Sequence, residues 1–261
     1  MKNIIRQFVC ANILGFMASA AQGTPIVTET FSYTNGVLAG NNGGTGWEIP
    51  WSVYQGGAAV TNGFAIIDAA AGQQVYRRLP AQNKTRGGSI WLRFSARQFT
   101  TGSGSTLTYG GLDLYHGGAE KMLAGKFWQG NYVWAFGTSG GGQVSASSTL
   151  VPTVIYENIV FNPAGNDVCN VWINPKNPAW LQASNVAPNI TYSSPDLSFD
   201  TIALRGGIDS GIAESWKFGA LAMGTTLADG QTPSAPVSAS RLKPEGAGDS
   251  AALPSKRESD R

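Results

Sequence analysis

The chain has 261 residues, with 18 Lys and Arg, 16 Asp and Glu, one His and two Cys. The first 23 residues hold two of the basic residues and none of the acidic ones, so the remainder carries 16 of each and no formal net charge. That balance excludes the basic field needed for nucleic acid or an anionic membrane surface, and a single His excludes a His-based metal centre.

In chain order, Lys2 and Arg6 precede an apolar run from Phe8 to Met17, followed by the small-residue steps Ala18-Ser-Ala20 and Ala21-Gln-Gly23. This pattern predicts a secretory signal peptide over residues 1–23, with an apolar run too short to span a bilayer. The expected location is the periplasm, the cell surface or the extracellular space. Cys10 falls inside that segment. Cys169 is then left alone in the alternating run Val168-Cys-Asn-Val-Trp-Ile-Asn174, where it reads as a small buried hydrophobe.

Residues 24–230 alternate short β-branched and aromatic runs with Gly, Asn and Ser turns. Strands are predicted at 26–33, 57–61, 63–68, 73–79, 89–99, 105–115, 120–127, 131–136, 153–162, 167–174, 199–205 and 214–224. No window shows a sustained 3.6-residue period, so helix should be nearly absent. The first strand runs into Gly40-Asn-Asn-Gly-Gly-Thr-Gly-Trp47, where Trp47 reads as a buried anchor for a tight glycine turn. Gly140-Gly-Gly142 reads as another turn. Beyond Gly230 come Pro233, Pro236, Pro244 and Pro254 with no aromatic residue, so 231–261 is expected to be a disordered tail. It holds no apolar span long enough for a membrane anchor.

Several stretches together resemble the secreted bacterial concanavalin A-like lectin/glucanase (LamG-like) domains. They are Phe31-x-Tyr33 with Gly40 to Trp47, Ile90-Trp-Leu-Arg-Phe94, Gly110-Gly-Leu-Asp-Leu-Tyr115, Val171-Trp-Ile-Asn-Pro175, Ser198 to Arg205, and the closing strand from Trp216 to Thr226. The resemblance covers roughly residues 31–229. It implies an all-β jelly-roll sandwich of two antiparallel sheets. The family usually has an Asp-Glu pair in the closing strand, where this chain has Gly219-Ala220.

The glucanases of that superfamily carry Glu-x-Asp-x-Glu on one strand, and retaining hydrolysis needs two carboxylates about 5–5.5 Å apart. That motif is absent: Asp196 with Asp200 and Asp209 with Glu214 lack the i, i+2 spacing, and Glu157 stands alone. His116 has no triad signature around it and reads as a turn-side residue. Loop oxygens at Asn166, Asp167 and Asp209 are candidate calcium ligands.

Aromatic residues are the remaining signal. In strand 89–97, Ile90, Leu92 and Phe94 share one face, and Trp91, Arg93, Ser95 and Arg97 share the other. Asn170, Trp172 and Asn174 likewise share a face, and Tyr132, Trp134 and Phe136 alternate with Asn131, Val133 and Ala135. A ring beside polar side chains suits a pyranose, so Trp91, Arg93, Trp134, Asn170, Trp172 and Asn174 are the candidate carbohydrate-binding residues. The same rings could instead cover the outer sheet face or pack beneath a loop. The expected function is an exported, noncatalytic carbohydrate-binding or adhesive module, with glycan or cell-surface polysaccharide as partner. The alternatives are a polysaccharide hydrolase or lyase with an unrecognised site, and a structural surface protein without a small ligand.

Overall fold

The protein is described from a computed structural model over residues 25–68, 72–83, 88–100, 109–128, 131–138, 141–183, 186–209 and 212–229. The expected signal peptide and the expected tail lie outside the described residues. Among the described residues seventeen strands follow one another: β1 Pro25–Glu29, β2 Gly36–Val37, β3 Ser52–Gln55, β4 Ala59–Thr61, β5 Phe64–Ile67, β6 Gln73–Gln82, β7 Gly88–Thr100, β8 Gly110–His116, β9 Ala119–Lys126, β10 Val133–Thr138, β11 Gly141–Ser148, β12 Thr153–Phe161, β13 Asp167–Ile173, β14 Ile190–Ser194, β15 Phe199–Gly206, β16 Ile208–Asp209 and β17 Ile212–Gly224. The helix among the described residues is a single 3-10 segment, Pro178–Ala183. None is long and apolar enough to cross a membrane.

The strands form two antiparallel sheets. One has ten strands on the path β14-β13-β12-β7-β17-β5-β4-β2, with β1 and β16 also paired to β17; the other has seven in the order β11-β10-β9-β8-β15-β6-β3. This is an all-β sandwich, as the alternation predicts, with the jelly-roll form that the family resemblance implies. Each sheet turns one face inward, as period-two alternation requires. Ile90, Leu92, Phe94, Ile155 and Phe218 from the larger sheet meet Val75, Leu112, Leu114, Ile202 and Leu204 from the smaller one. Cys169 lies fully buried in this core, as expected, and burial pushes its thiol well above the usual range.

The glycine-rich opening has a structural role. Glu29, fully buried, accepts hydrogen bonds from the Phe31 amide, the Tyr33 hydroxyl, the Trp51 indole and Arg77 Nη1 at 2.7–2.9 Å. Arg77 also donates to the carbonyls of Ile49 and Gly43 and to Asn42 Oδ1. Its guanidinium lies 4.8 Å from the centroid of the Trp47 ring and 5.7 Å from that of Trp51. Trp47 is half-buried, packs against the core and donates to the Thr28 carbonyl. Gly44 and Gly46 have φ of +74° and +79°, and a Cβ on either would collide with the backbone of β1.

Short or weakly patterned strands escape the sequence reading: β2, β3, β11, β14 and β16. Gly141-Gly142, read as a turn, instead open β11, where Gly142 pairs with Gly137 and a side chain would meet the facing backbone. The start proposed for the strand at 105 lies outside the described residues.

Candidate functional site

The outer face of the seven-stranded sheet carries the candidate site. Alternation sends Val75, Leu112, Leu114, Ile202 and Leu204 into the core and leaves Gln74 and Tyr76 of β6, Asp113 and Tyr115 of β8, and Thr201, Ala203 and Arg205 of β15 on the other face. The pairing brings them into rows: Ala203 stands opposite both Tyr76 and Asp113, Arg205 opposite Gln74, and Thr201 opposite Tyr115. Tyr54 of β3 joins from the sheet edge, and Gly118 from the turn between β8 and β9. All of these except the buried Asp113 line a cleft of about 360 Å³. Gln74 and Arg205 also line a second, smaller depression of about 150 Å³ with Gln55, Gln73 and Tyr109.

Arg205 organises the floor. It donates through Nη1 to the Tyr115 hydroxyl at 3.2 Å and through Nη2 to the Tyr109 hydroxyl, and its Cζ lies 4.1 Å from the centroid of the Tyr109 ring. Its Nη1 is 3.8 Å from Asp113 Oδ2. The Tyr115 hydroxyl donates to the same Asp113 oxygen at 3.4 Å, while Asp113 Oδ1 has no hydrogen-bond partner among the described residues. Asp113 is fully buried. Loss of solvation, then the charge of Glu120, raises its carboxyl well above the usual range despite Arg205. Burial, followed by Asp113, likewise raises the Tyr115 phenol. For both groups, loss of solvation works against the charged form. Two exposed rings border this face: Tyr54, 74% exposed, and Trp128, 43% exposed, the latter edge-on to Tyr109 at 5.9 Å.

His116 ends β8 beside the turn that supplies Gly118. Its ring is 42% exposed, as a turn-side histidine, and its Nδ1 lies 3.1 Å from Asp200 Oδ2. A proton on Nδ1 makes that contact a hydrogen bond.

The residues chosen from sequence lie elsewhere. Trp134 is fully buried between the sheets, edge-on to Trp216 and Phe94, and donates to Thr153. It is core and cannot meet a ligand, because β10 turns its even-numbered residues inward. Trp91 and Trp172 are on an outer face as read, but on the ten-stranded sheet. They stack on each other at 5.5 Å beneath Leu181, Val186 and Leu227, each only 7% exposed, and the Trp172 indole donates to the Val186 carbonyl. The loop over β13 packs on the platform, and both rings and Asn170 line a depression of about 360 Å³ with Asn158 and Pro188.

Arg93 is held by Tyr156, through a hydrogen bond of 3.2 Å to its hydroxyl and a position over its ring. Asn170 accepts from Thr191 Oγ1. Asn174, at φ +48°, accepts from the Val154 amide at 2.7 Å and shapes a turn.

Of the candidate calcium ligands, Asp167 is fully buried and uses both carboxylate oxygens on the amides of Asn162 and Leu197. Asn166 precedes it on the exposed loop, and Asp209 lies in β16, which pairs with β17 rather than with the strands around Asp167. Among the described residues, no three His, Cys, Asp or Glu side chains cluster as metal ligands.

No family model matches the chain, and no curated protein matches it. Solved structures similar to it include an endo-β-1,4-glucuronan lyase from the fungus Trichoderma reesei, 11% identical, covering 79% of this chain and 98% of that one with a TM-score of 0.44. An alginate lyase of polysaccharide lyase family 7 is 9% identical over 76% of this chain and 94% of that one, with a TM-score of 0.45. The binding domain of botulinum neurotoxin serotype D/C is 13% identical over 78% of this chain and 50% of that one, with a TM-score of 0.48. Likeness at this level carries no argument about activity.

Proposed function

We propose that the protein is a noncatalytic carbohydrate-binding module whose site is the outer face of the seven-stranded sheet. One observation carries the reading: a cleft of about 360 Å³ lined by three tyrosine rings, a glutamine and an arginine held by the hydroxyls of Tyr115 and Tyr109. Rings present apolar surface to the C–H faces of a pyranose, and amide, hydroxyl and guanidinium groups pair with its hydroxyls. Tyr54, 74% exposed, offers the cleft an open ring at the sheet edge.

Binding without turnover is favoured because no Asp or Glu is among the residues lining the cleft, whereas glycoside hydrolysis needs a pair of carboxylates flanking the bond. The LamG-like resemblance of the sequence and export through the N-terminal signal belong to the same proposal. The cleft lining offers calcium no carboxylate.

The test is a glycan array followed by calorimetry on the purified protein, with and without chelator. Tyr54→Ala and Tyr76→Ala are expected to weaken retention of the bound glycan, with folding intact. Equal affinity in both variants would falsify the site. Release of reducing sugar, or of unsaturated uronate from an acidic polysaccharide, would replace the binding role with hydrolysis or elimination. Failure to retain any glycan would favour a structural surface protein.

A further inference from the structure

The outer face of the ten-stranded sheet holds a second cleft of about 320 Å³, lined by Phe64, Ser95, Arg97, Thr153, Lys217 and Gly219 among others. Arg97 of β7 and Lys217 of β17 stand directly opposite each other in register. Like charges at directly opposed positions destabilise a sheet. Nothing in the lining offsets them, since no Asp or Glu is among the lining residues. Asp68, just past β5, is engaged by the Ser215 hydroxyl at 2.9 Å.

Both cations are held in place rather than neutralised. Arg97 donates through Nε to the Leu150 carbonyl at 2.9 Å and lies over the Phe99 ring at 4.9 Å, leaving both Nη nitrogens without a partner among the described residues. Lys217 Nζ lies 3.6 Å from the centroid of the Phe64 ring and makes no hydrogen bond or ion pair among the described residues. Ser95, two residues before Arg97, adds a hydroxyl donor. Its space is kept open by Gly219, where a Cβ would strike Ser95 Oγ.

We propose that this cleft binds an oxyanion group, with Arg97, Lys217 and Ser95 as its donors. A guanidinium, an ammonium and a hydroxyl converging without a counter-charge suit carboxylate, sulfate or phosphate oxygens, which form the stronger, charge-assisted hydrogen bonds. The group is either a free inorganic anion or a substituent on an acidic glycan. This site is independent of the proposed saccharide cleft, which lies on the other sheet.

The experiment is calorimetry of the full chain with sodium sulfate, sodium phosphate and polygalacturonate, against sodium chloride at matched ionic strength. Sulfate or phosphate binding marks a free oxyanion, and polygalacturonate binding marks a carboxylate carried on glycan. In either case the Arg97→Gln/Lys217→Gln double variant should lose at least tenfold in affinity, and Lys217→Arg should retain it. The thermal midpoint of the unliganded double variant should equal or exceed that of the parent, since repulsion is removed. Unchanged affinity in the double variant, or no preference for any of the three anions over chloride, overturns the proposal.

Discussion

Glu29 and Arg77 meet at 2.8 Å with both side chains about 1% exposed, 48 residues apart in the chain. A charge buried this deeply persists only when its hydrogen bonds are filled. Here the Phe31 amide, Tyr33, Trp51, Asn42 and two loop carbonyls fill them. The pair ties β1 to β6 and thus the larger sheet to the smaller one. Arg77→Ala leaves the Glu29 carboxylate buried without its counter-charge. It should cost about 3–5 kcal/mol in urea unfolding. A loss under about 1 kcal/mol would show that the pair contributes little.

Gly46 is the second support of the same corner. At φ +79°, with β1 backbone where a Cβ would stand, Gly46→Ala strains the chain and displaces the strand. Thermal unfolding should show a marked fall in midpoint. Gly40→Ala, at φ +85° but with open space around it, should fall less.

Glu157 is fully buried in β12, and neither of its carboxylate oxygens has a hydrogen-bond partner among the described residues. Burial pushes its acid from 4.5 to about 8. A raised acid means that the folded chain keeps a proton the unfolded chain releases, so stability falls as pH rises between those values. The loss reaches up to about 5 kcal/mol at 1.36 kcal/mol per unit. Glu157→Met should flatten the slope and be the more stable protein near pH 8. Urea titrations at about pH 5 and about pH 8 measure it, and an equal slope in parent and variant contradicts the assignment.

Trp134 and Tyr54 should separate cleanly. Trp134→Ala removes a fully buried ring and should cost about 3–5 kcal/mol of stability. Tyr54→Ala, at an exposed sheet edge, should change stability by no more than about 0.5 kcal/mol. If Tyr54 is a binding hot spot of about 2 kcal/mol, glycan affinity falls about thirtyfold. Unfolding curves and calorimetry on the same two proteins check both halves.

Trp172 lies between these cases. Its ring stacks on Trp91 under Leu181 and is bonded to the Val186 carbonyl. Trp172→Ala should therefore lower the unfolding midpoint and loosen the loop, read as faster proteolysis around residues 178–188. Glycan binding at the saccharide cleft should be unaffected. Unchanged stability with lost binding would return Trp172 to a ligand-binding role.

The sequence by itself determined the class of fold and the inward face of its stronger strands. Ile90, Leu92 and Phe94 alternate with Trp91, Arg93 and Ser95, and such alternation has one physical solution, a strand with one face buried. It also marked Cys169 as core and Phe31 to Trp47 as a tight glycine corner. The candidate site was not legible in the same way. Tyr54, Gln74, Tyr76, Tyr115 and Arg205 come from four strands spread over some 150 residues, and each is an ordinary outward residue until β15 pairs with β6 on one side and β8 on the other. Period two divides a strand into two faces without saying what covers either one. Only tertiary structure decided that a loop lies over Trp91 and Trp172, that Trp134 faces the opposing sheet, and that Tyr76, Tyr115 and Arg205 share an open cleft, because those outcomes depend on strand order and on contacts distant in the chain.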